Sequence, residues 1–209
     1  MANPKPKKDS PTREQIMDAA EAAVLAKGFS GTSIEELIAA VGISKSGFFY
    51  HFRDKSRLAK ALLERYVETD SKIFDDVFRR TDELSDDPLH SFLIGLKLLS
   101  EIFADLPNGH PGCLVASICY HEQLFDRDVC EVNAAAVLGW RERFLERLVR
   151  VEKRYPPRID VSLEDLADML SAVADGAIVL SKVTRDAGAL PRQLLLYRDF
   201  VKLVFSPPA

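Results

Sequence analysis

Residues able to do chemistry are concentrated in two stretches of the 209-residue chain. The first is Ser44-Lys45-Ser46-Gly47-Phe48-Phe49-Tyr50-His51-Phe52, which mixes small, basic and aromatic side chains. Small residues at the start of a helix let it enter a DNA major groove closely, and Lys45 and His51 have the reach to meet phosphates or base edges. Phe48 and Phe52, four apart, would fill the core behind that face. The second stretch is Cys119-x-His121-Glu122, with Cys113, Cys130 and His110 elsewhere. A thiol–imidazole pair or a pair of metal ligands is the chemistry those types allow. On a helix, however, residues two apart point about 200° apart, so Cys119 and His121 do not share a face. The chain has no HExxH, CxxC or GxSxG and no phosphate-cradling glycine loop. We therefore expect no catalytic residues, no resident metal and no cofactor, and a Cys/His enzyme is the weakest reading.

The elements that position the first stretch are signalled by caps and breakers. Thr12 with Gln15 reads as a capping box, with Ile16, Ala19, Ala20, Ala23 and Val24 following at helical spacing and Gly28 as a left-handed stop. Ser33 with Glu36 opens a short helix that Gly42 closes, and Ser44 caps a third to Phe52. The turn Val41-Gly42-Ile43-Ser44 between two short helices is a helix-turn-helix pattern. Asp54 caps a long fourth helix to about Arg80. Further helices are expected over 88–106, 112–125, 127–154, 163–187 and from Pro191 to Phe205. The period-2 stretch at 158–163 reads as an extended lead-in, so about nine helices and no sheet are expected.

Composition bounds the partners. The net charge of −4 argues against nucleic acid until it is divided. Residues 1–60 hold ten basic and seven acidic side chains, +3, and the remainder is −7. The basic excess coincides with the helix-turn-helix. Three cysteines at no recognisable spacing, no signal-peptide h-region and no long apolar run point to a cytoplasmic protein with no membrane partner.

In Arg13, Ile16, Ala20, Gly28-Phe29, Thr32-Ser33, Gly42-Ile43-Ser44-Lys45, Phe48, Phe52, Lys55 and Leu58 the sequence resembles the TetR family of bacterial transcription regulators. The resemblance implies an all-α fold, with an N-terminal three-helix domain joined by a long helix to a ligand-binding and dimerisation domain. On that basis residues 1–10 form a flexible basic arm, 11–56 the DNA-binding domain and 57–209 the sensing and dimerising domain. It also implies that Thr32 and Ser33 meet phosphate, that Ser44, Lys45, Ser46 and Gly47 face the major groove, and that Lys55 holds the backbone. Phe49 stands where the family usually has a phosphate-reaching tyrosine, so either that contact is lost or Tyr50 supplies it. With His51, these complete the expected contacts to double-stranded DNA.

The function implied is a DNA-binding regulator, by the family's habit a repressor. One small reading helix is too little for tight specific binding, so a homodimer on a near-palindromic operator is expected. A helical stripe of Leu163, Leu166, Leu170, Val173, Ala174, Ala177 and Ile178, with Leu194, Tyr197, Phe200 and Val201 in the last helix, suits dimerisation. An effector pocket among Phe74, Phe78, Phe92, Phe103, Cys113, Ser117, Tyr120, His121, Phe125 and Trp140 would suit a small apolar or aromatic molecule. The alternative is a redox- or metal-responsive regulator using Cys119 and His121.

Overall fold

Local capping sets most boundaries in the computed structural model, which describes residues 10–206. Helix α1 runs Pro11–Lys27, α2 Ile34–Val41, α3 Lys45–His51, α4 Lys55–Leu84 and α5 Pro88–Ala104. A short α6, Leu114–Cys119, and one 3-10 turn, Glu122–Leu124, lead to α7, Arg127–Glu152, then α8, Leu163–Thr184, and α9, Ala189–Phe205. The described residues contain nine α-helices and no strand, as the all-α reading expected. The expected basic arm lies outside the described residues, apart from Ser10.

The caps at Ser33, Ser44 and Asp54 form as read, and Ser162 caps α8 in the same way, each side chain accepting a backbone N–H three residues on. Gly42 is left-handed at φ 71°, ψ 33°, which turns the chain between α2 and α3. Three local expectations give way. Ser10, not Thr12, caps α1, because Pro11 occupies the first helical position, where its missing N–H is harmless. Gly28 has positive φ, but its ψ of 166° lies outside the left-handed helical basin. The expected 112–125 helix breaks after Cys119. There the His121 Nδ1 lies 3.1 Å from the Ser117 carbonyl, the acceptor its own backbone N–H would take in a continuing helix. That N–H bonds Ile118 instead, and the chain tightens into a 3-10 turn.

Packing gathers the helices into two units. The first holds the described residues up to Glu68 together with Cys113–Ala135. It is larger than the stretch 11–56, because Leu114, Val115, Ile118 and Val129 are buried and α6 packs on α1. Its core behind the turn is Ile16, Met17, Ala20, Leu37, Phe48, Phe52, Leu58 and Leu62.

The second unit holds the C-terminal part of α4, then α5, most of α7, α8 and α9, with α5 and α8 both packed on α9. Phe78 and Phe92 are fully buried and stacked at 6.1 Å, and Phe144 meets Phe78 edge-on. Gly95 makes this possible, since a Cβ there would lie 2.5 Å from the Phe78 ring. Over that ring, at 4.0 Å, sits the Arg147 guanidinium, which grips both Asp82 oxygens at 3.0 and 3.1 Å. The Arg147 bond, the Ser91 hydroxyl and the Arg150 charge together hold the Asp82 carboxyl down to about 2, against its desolvation. A depressed carboxylate contributes stability above its unfolded pKa, and the contribution is lost as pH falls from about 4 towards 2. Allowing for solvent screening, it amounts to about 1–2 kcal/mol. Urea unfolding at pH 6 should show wild type more stable than Asp82→Asn by that amount, with the gap falling to about a third of it by pH 2.5. An undiminished gap at pH 2.5 would assign the effect to packing.

Candidate nucleic-acid interface

Helix α3 is buried on one side and open on the other. Phe48 is fully buried and Phe52 nearly so, whereas Phe49 and Tyr50 are 42% and 41% exposed. The open side begins with Ser44, whose Oγ caps Gly47 and lies 2.9 Å from the Ser46 Oγ. Lys45 projects next to them, held 3.2 Å from Glu35 in an ion pair that is exposed on both sides. Such an exposed pair contributes little to folding and yields readily to a stronger anion. A Cβ on Gly47 would come 3.3 Å from the Ser44 Oγ, so the smallest side chain keeps that cap intact. Ser44, Lys45, Ser46, Phe49 and Tyr50 thus form one exposed face.

Four expected contacts are otherwise engaged. Thr32 is buried and its hydroxyl donates to the Gly28 carbonyl at 3.0 Å, so it braces the α1–α2 turn. Ser33 is exposed and its Oγ accepts the Glu36 N–H as the α2 cap. Lys55 donates its ammonium to the Phe29 carbonyl and lies over the Phe29 ring, and burial lowers its pKa. It ties α4 to the α1–α2 turn where a phosphate contact was expected. His51 turns towards Ser10, 3.4 Å from its Oγ, and burial followed by the Arg13 charge lowers its pKa.

Three cations missed by the sequence reading lie beside this face. Arg53, Arg57 and Lys60 line one groove with Phe49 and Tyr50. They were counted as charge but carried no motif, and only the turn from α3 into α4 brings them to the end of the reading helix.

The expected pocket residues do not form one set within either unit. Phe74, Phe78 and Phe92 join Phe144 in the core of the second unit. Phe103 meets His110 edge-on at 5.4 Å, and burial, with the nearby Lys182 charge, pushes that imidazole down to about 4. Trp140 buries its indole N–H without a hydrogen-bond acceptor. In the first unit, Cys113 is buried and caps α6, Ser117 receives His121, and Phe125 meets Phe29 edge-on at 4.9 Å. Tyr120 is 79% exposed and cannot be a pocket wall within its unit.

The dimer stripe needs correction. Leu166, Leu170, Ala177, Ile178, Leu194, Tyr197 and Val201 are buried within the single chain, with the Tyr197 hydroxyl bonded to the Leu166 carbonyl at 2.8 Å. Leu163, Val173, Ala174 and Phe200 are half-buried. The apolar face left open is a different one: Met169, Ala172, Gly176, Val179, Leu180 and Val183 on α8, with Leu196 and Leu203 on α9. Both expectations followed a 3.6-residue period, but α8 is apolar on two sides.

A short helix, a tight left-handed turn and a second helix with an open face make a helix-turn-helix, the architecture of many DNA-binding regulators. Residues 16–62 match the description "Bacterial regulatory proteins, tetR family". Over those residues the chain is similar to the DNA-binding domain of the TetR family of bacterial transcriptional regulators. It is 28% identical over 170 residues to a probable HTH-type transcriptional regulator, ArpR, of Pseudomonas putida, covering 80% of this chain and 78% of that one. It is 22% identical to the HTH-type transcriptional repressor DhaR of a Mycobacterium species, covering 88% and 89%. The fold is shared with a TetR transcriptional regulator from Chloroflexus aurantiacus at a TM-score of 0.76 and 22% identity, covering 93% of this chain and 96% of that one. No described helix is long and apolar enough to cross a membrane.

Proposed function

We propose that the protein is a repressor that binds a near-palindromic operator as a dimer through α3 and leaves it when a small apolar or aromatic effector binds the second unit. The observation that carries the reading is the open face of α3, with Lys45, Phe49 and Tyr50 outward on a helix whose other aromatic residues are buried. Lys45 supplies charge to the groove, and Tyr50 offers the hydroxyl that Phe49 lacks. The test is a gel shift on the DNA upstream of the protein's own gene at rising salt. Lys45→Ala should weaken binding about tenfold or more and flatten the salt dependence. Binding that ignores both salt and the substitution would remove α3 from the interface.

Trp140 supports an effector that carries a hydrogen-bond acceptor. A buried donor without a partner costs about 1–3 kcal/mol, which a bound acceptor would recover. Trp140→Phe should therefore melt at or above the wild-type temperature in the absence of effector. A clear loss of stability would mean that the indole N–H already has a partner. Because Trp140 is the chain's single tryptophan, its emission gives a direct screen for effectors.

No observation favours the cysteine-based alternative. Cys119, the thiol of that alternative, is exposed, and no group of three or more His, Cys, Asp or Glu among the described residues could hold a metal ion. His121 is engaged with Ser117 and Ser30.

A further inference from the structure

The first turn of α7 carries Asp126-Arg127-Asp128, and its carboxylates face the first turns of α4 within the same unit. Arg57 Nη1 lies 2.9 Å from an Asp128 oxygen and Nη2 lies 3.9 Å from Asp126. Lys60 reaches Asp128 at 3.8 Å. Asp126 does two jobs with two oxygens: Oδ1 accepts the Val129 N–H as the α7 cap, and Oδ2 faces Arg57. The same segment also touches the α1–α2 turn. Phe125 packs edge-on against Phe29, and the His121 Nε2 is 3.3 Å from the Ser30 Oγ. These contacts fix where the acidic pair stands.

Arg57 and Lys60 share their groove with Phe49, Tyr50 and Arg53 at the end of the reading helix. DNA entering along α3 brings its backbone beside a helix end, where cations meet phosphate. Two carboxylates on two cations there occupy the partners a phosphate would take.

We propose that Arg57 and Lys60 belong to the DNA-contacting surface and that Asp126 and Asp128 compete with DNA phosphates for them, acting as a built-in phosphate mimic that sets operator affinity. The inference rests on the DNA-binding reading above. Its regulatory consequence is that any displacement of residues 121–128 changes how many cations the reading unit offers. Arg57, Asp126 and Asp128 are exposed and Lys60 is half-buried, so these ion pairs contribute little to folding and can be exchanged without unfolding the unit.

The test is fluorescence anisotropy with the full-length protein and a duplex that it has selected from random DNA. Asp126→Asn/Asp128→Asn keeps a cap-competent side chain at 126. It should bind the duplex about fivefold or more tightly than wild type at low salt. Introducing Arg57→Gln and Lys60→Gln first should abolish that gain, so that the two Asn substitutions made in the Gln background bind no more tightly than that background itself. It should also reduce the slope of log affinity against log salt by about one per cation and protomer. An unchanged affinity in the double Asn variant overturns the proposal. So does a gain that survives the two Gln substitutions, since that would be the effect of overall charge alone. Lys45→Ala in the same series separates the two readings. If it weakens binding while the Asn variants do nothing, the reading helix stands and the phosphate mimic falls. If it too has no effect, the DNA-binding reading itself fails.

Discussion

Val183→Glu combined with Leu203→Glu is expected to leave the chain folded, convert it to a monomer and weaken operator binding at least a hundredfold. Both residues are 68–78% exposed in the single chain, so a carboxylate there stays in water and costs little in the monomer. In a dimer built on the open α8–α9 face, the same carboxylates would be buried without partners, and this costs several kcal/mol. Loss of the dimer also removes the second reading helix, and with it the gain from binding two half-sites at once. Sedimentation equilibrium checks the assembly and anisotropy the affinity. A variant that stays dimeric would place the interface elsewhere. The inward substitution Leu170→Glu is the contrast, since that residue is buried inside one chain and its loss should unfold the protein.

Phe48→Ala should cost about 3–5 kcal/mol of stability, the usual loss for truncating a fully buried phenylalanine. Its ring closes the core behind the turn, edge-on to Phe49 at 5.5 Å and tilted against Phe52 at 6.0 Å. The neighbouring Phe49→Ala changes a half-open side chain and should cost no more than about 1 kcal/mol. Two adjacent phenylalanines thus give opposite outcomes: one variant loses the fold, and the other keeps the fold and weakens DNA binding. Denaturant unfolding with amide exchange of α3 measures the first, and anisotropy the second. Similar stability losses for both would contradict the orientation of α3.

What could be read from the sequence was whatever local chemistry decides. Ser33, Ser44, Asp54 and Ser162 cap their helices because a hydroxyl or carboxylate three residues before an N–H finds it without help from the rest of the chain. Gly42 is left-handed for an equally local reason. The break at Tyr120 was not readable, because it depends on the His121 ring competing for one backbone carbonyl. Nor was the outward face of α8. Leu166, Leu170 and Ala177 share one side and Met169, Leu180 and Val183 another, and both sides are apolar. Periodicity finds such a helix but cannot choose its inner side; packing against α9 makes the choice. At the interface, residue types identified the open face of α3 but not the engagement of Thr32, Lys55 and His51. Lys55 and His51 differ from Lys45 in meeting Phe29 and Ser10, far away in sequence, and Thr32 in being buried with its hydroxyl on the Gly28 carbonyl. The cations Arg57 and Lys60 were unremarkable by type, and their pairing with Asp126 and Asp128 spans about seventy residues of sequence.

The division of charge between the two ends gains a sharper meaning. The basic excess of residues 1–60 is partly answered by acidic side chains from beyond residue 120, so the charge offered to DNA is smaller than the count implies.

Whether a dimer reads DNA through α3 is decided by selecting bound sequences from a random duplex pool with the full-length protein. The expected result is an enriched inverted repeat whose half-sites lie about one helical turn, or a small multiple of it, apart, with the enrichment lost for Lys45→Ala. A pool that shows no enrichment, or one enriched in a single unrepeated site that Lys45→Ala selects equally well, would contradict it.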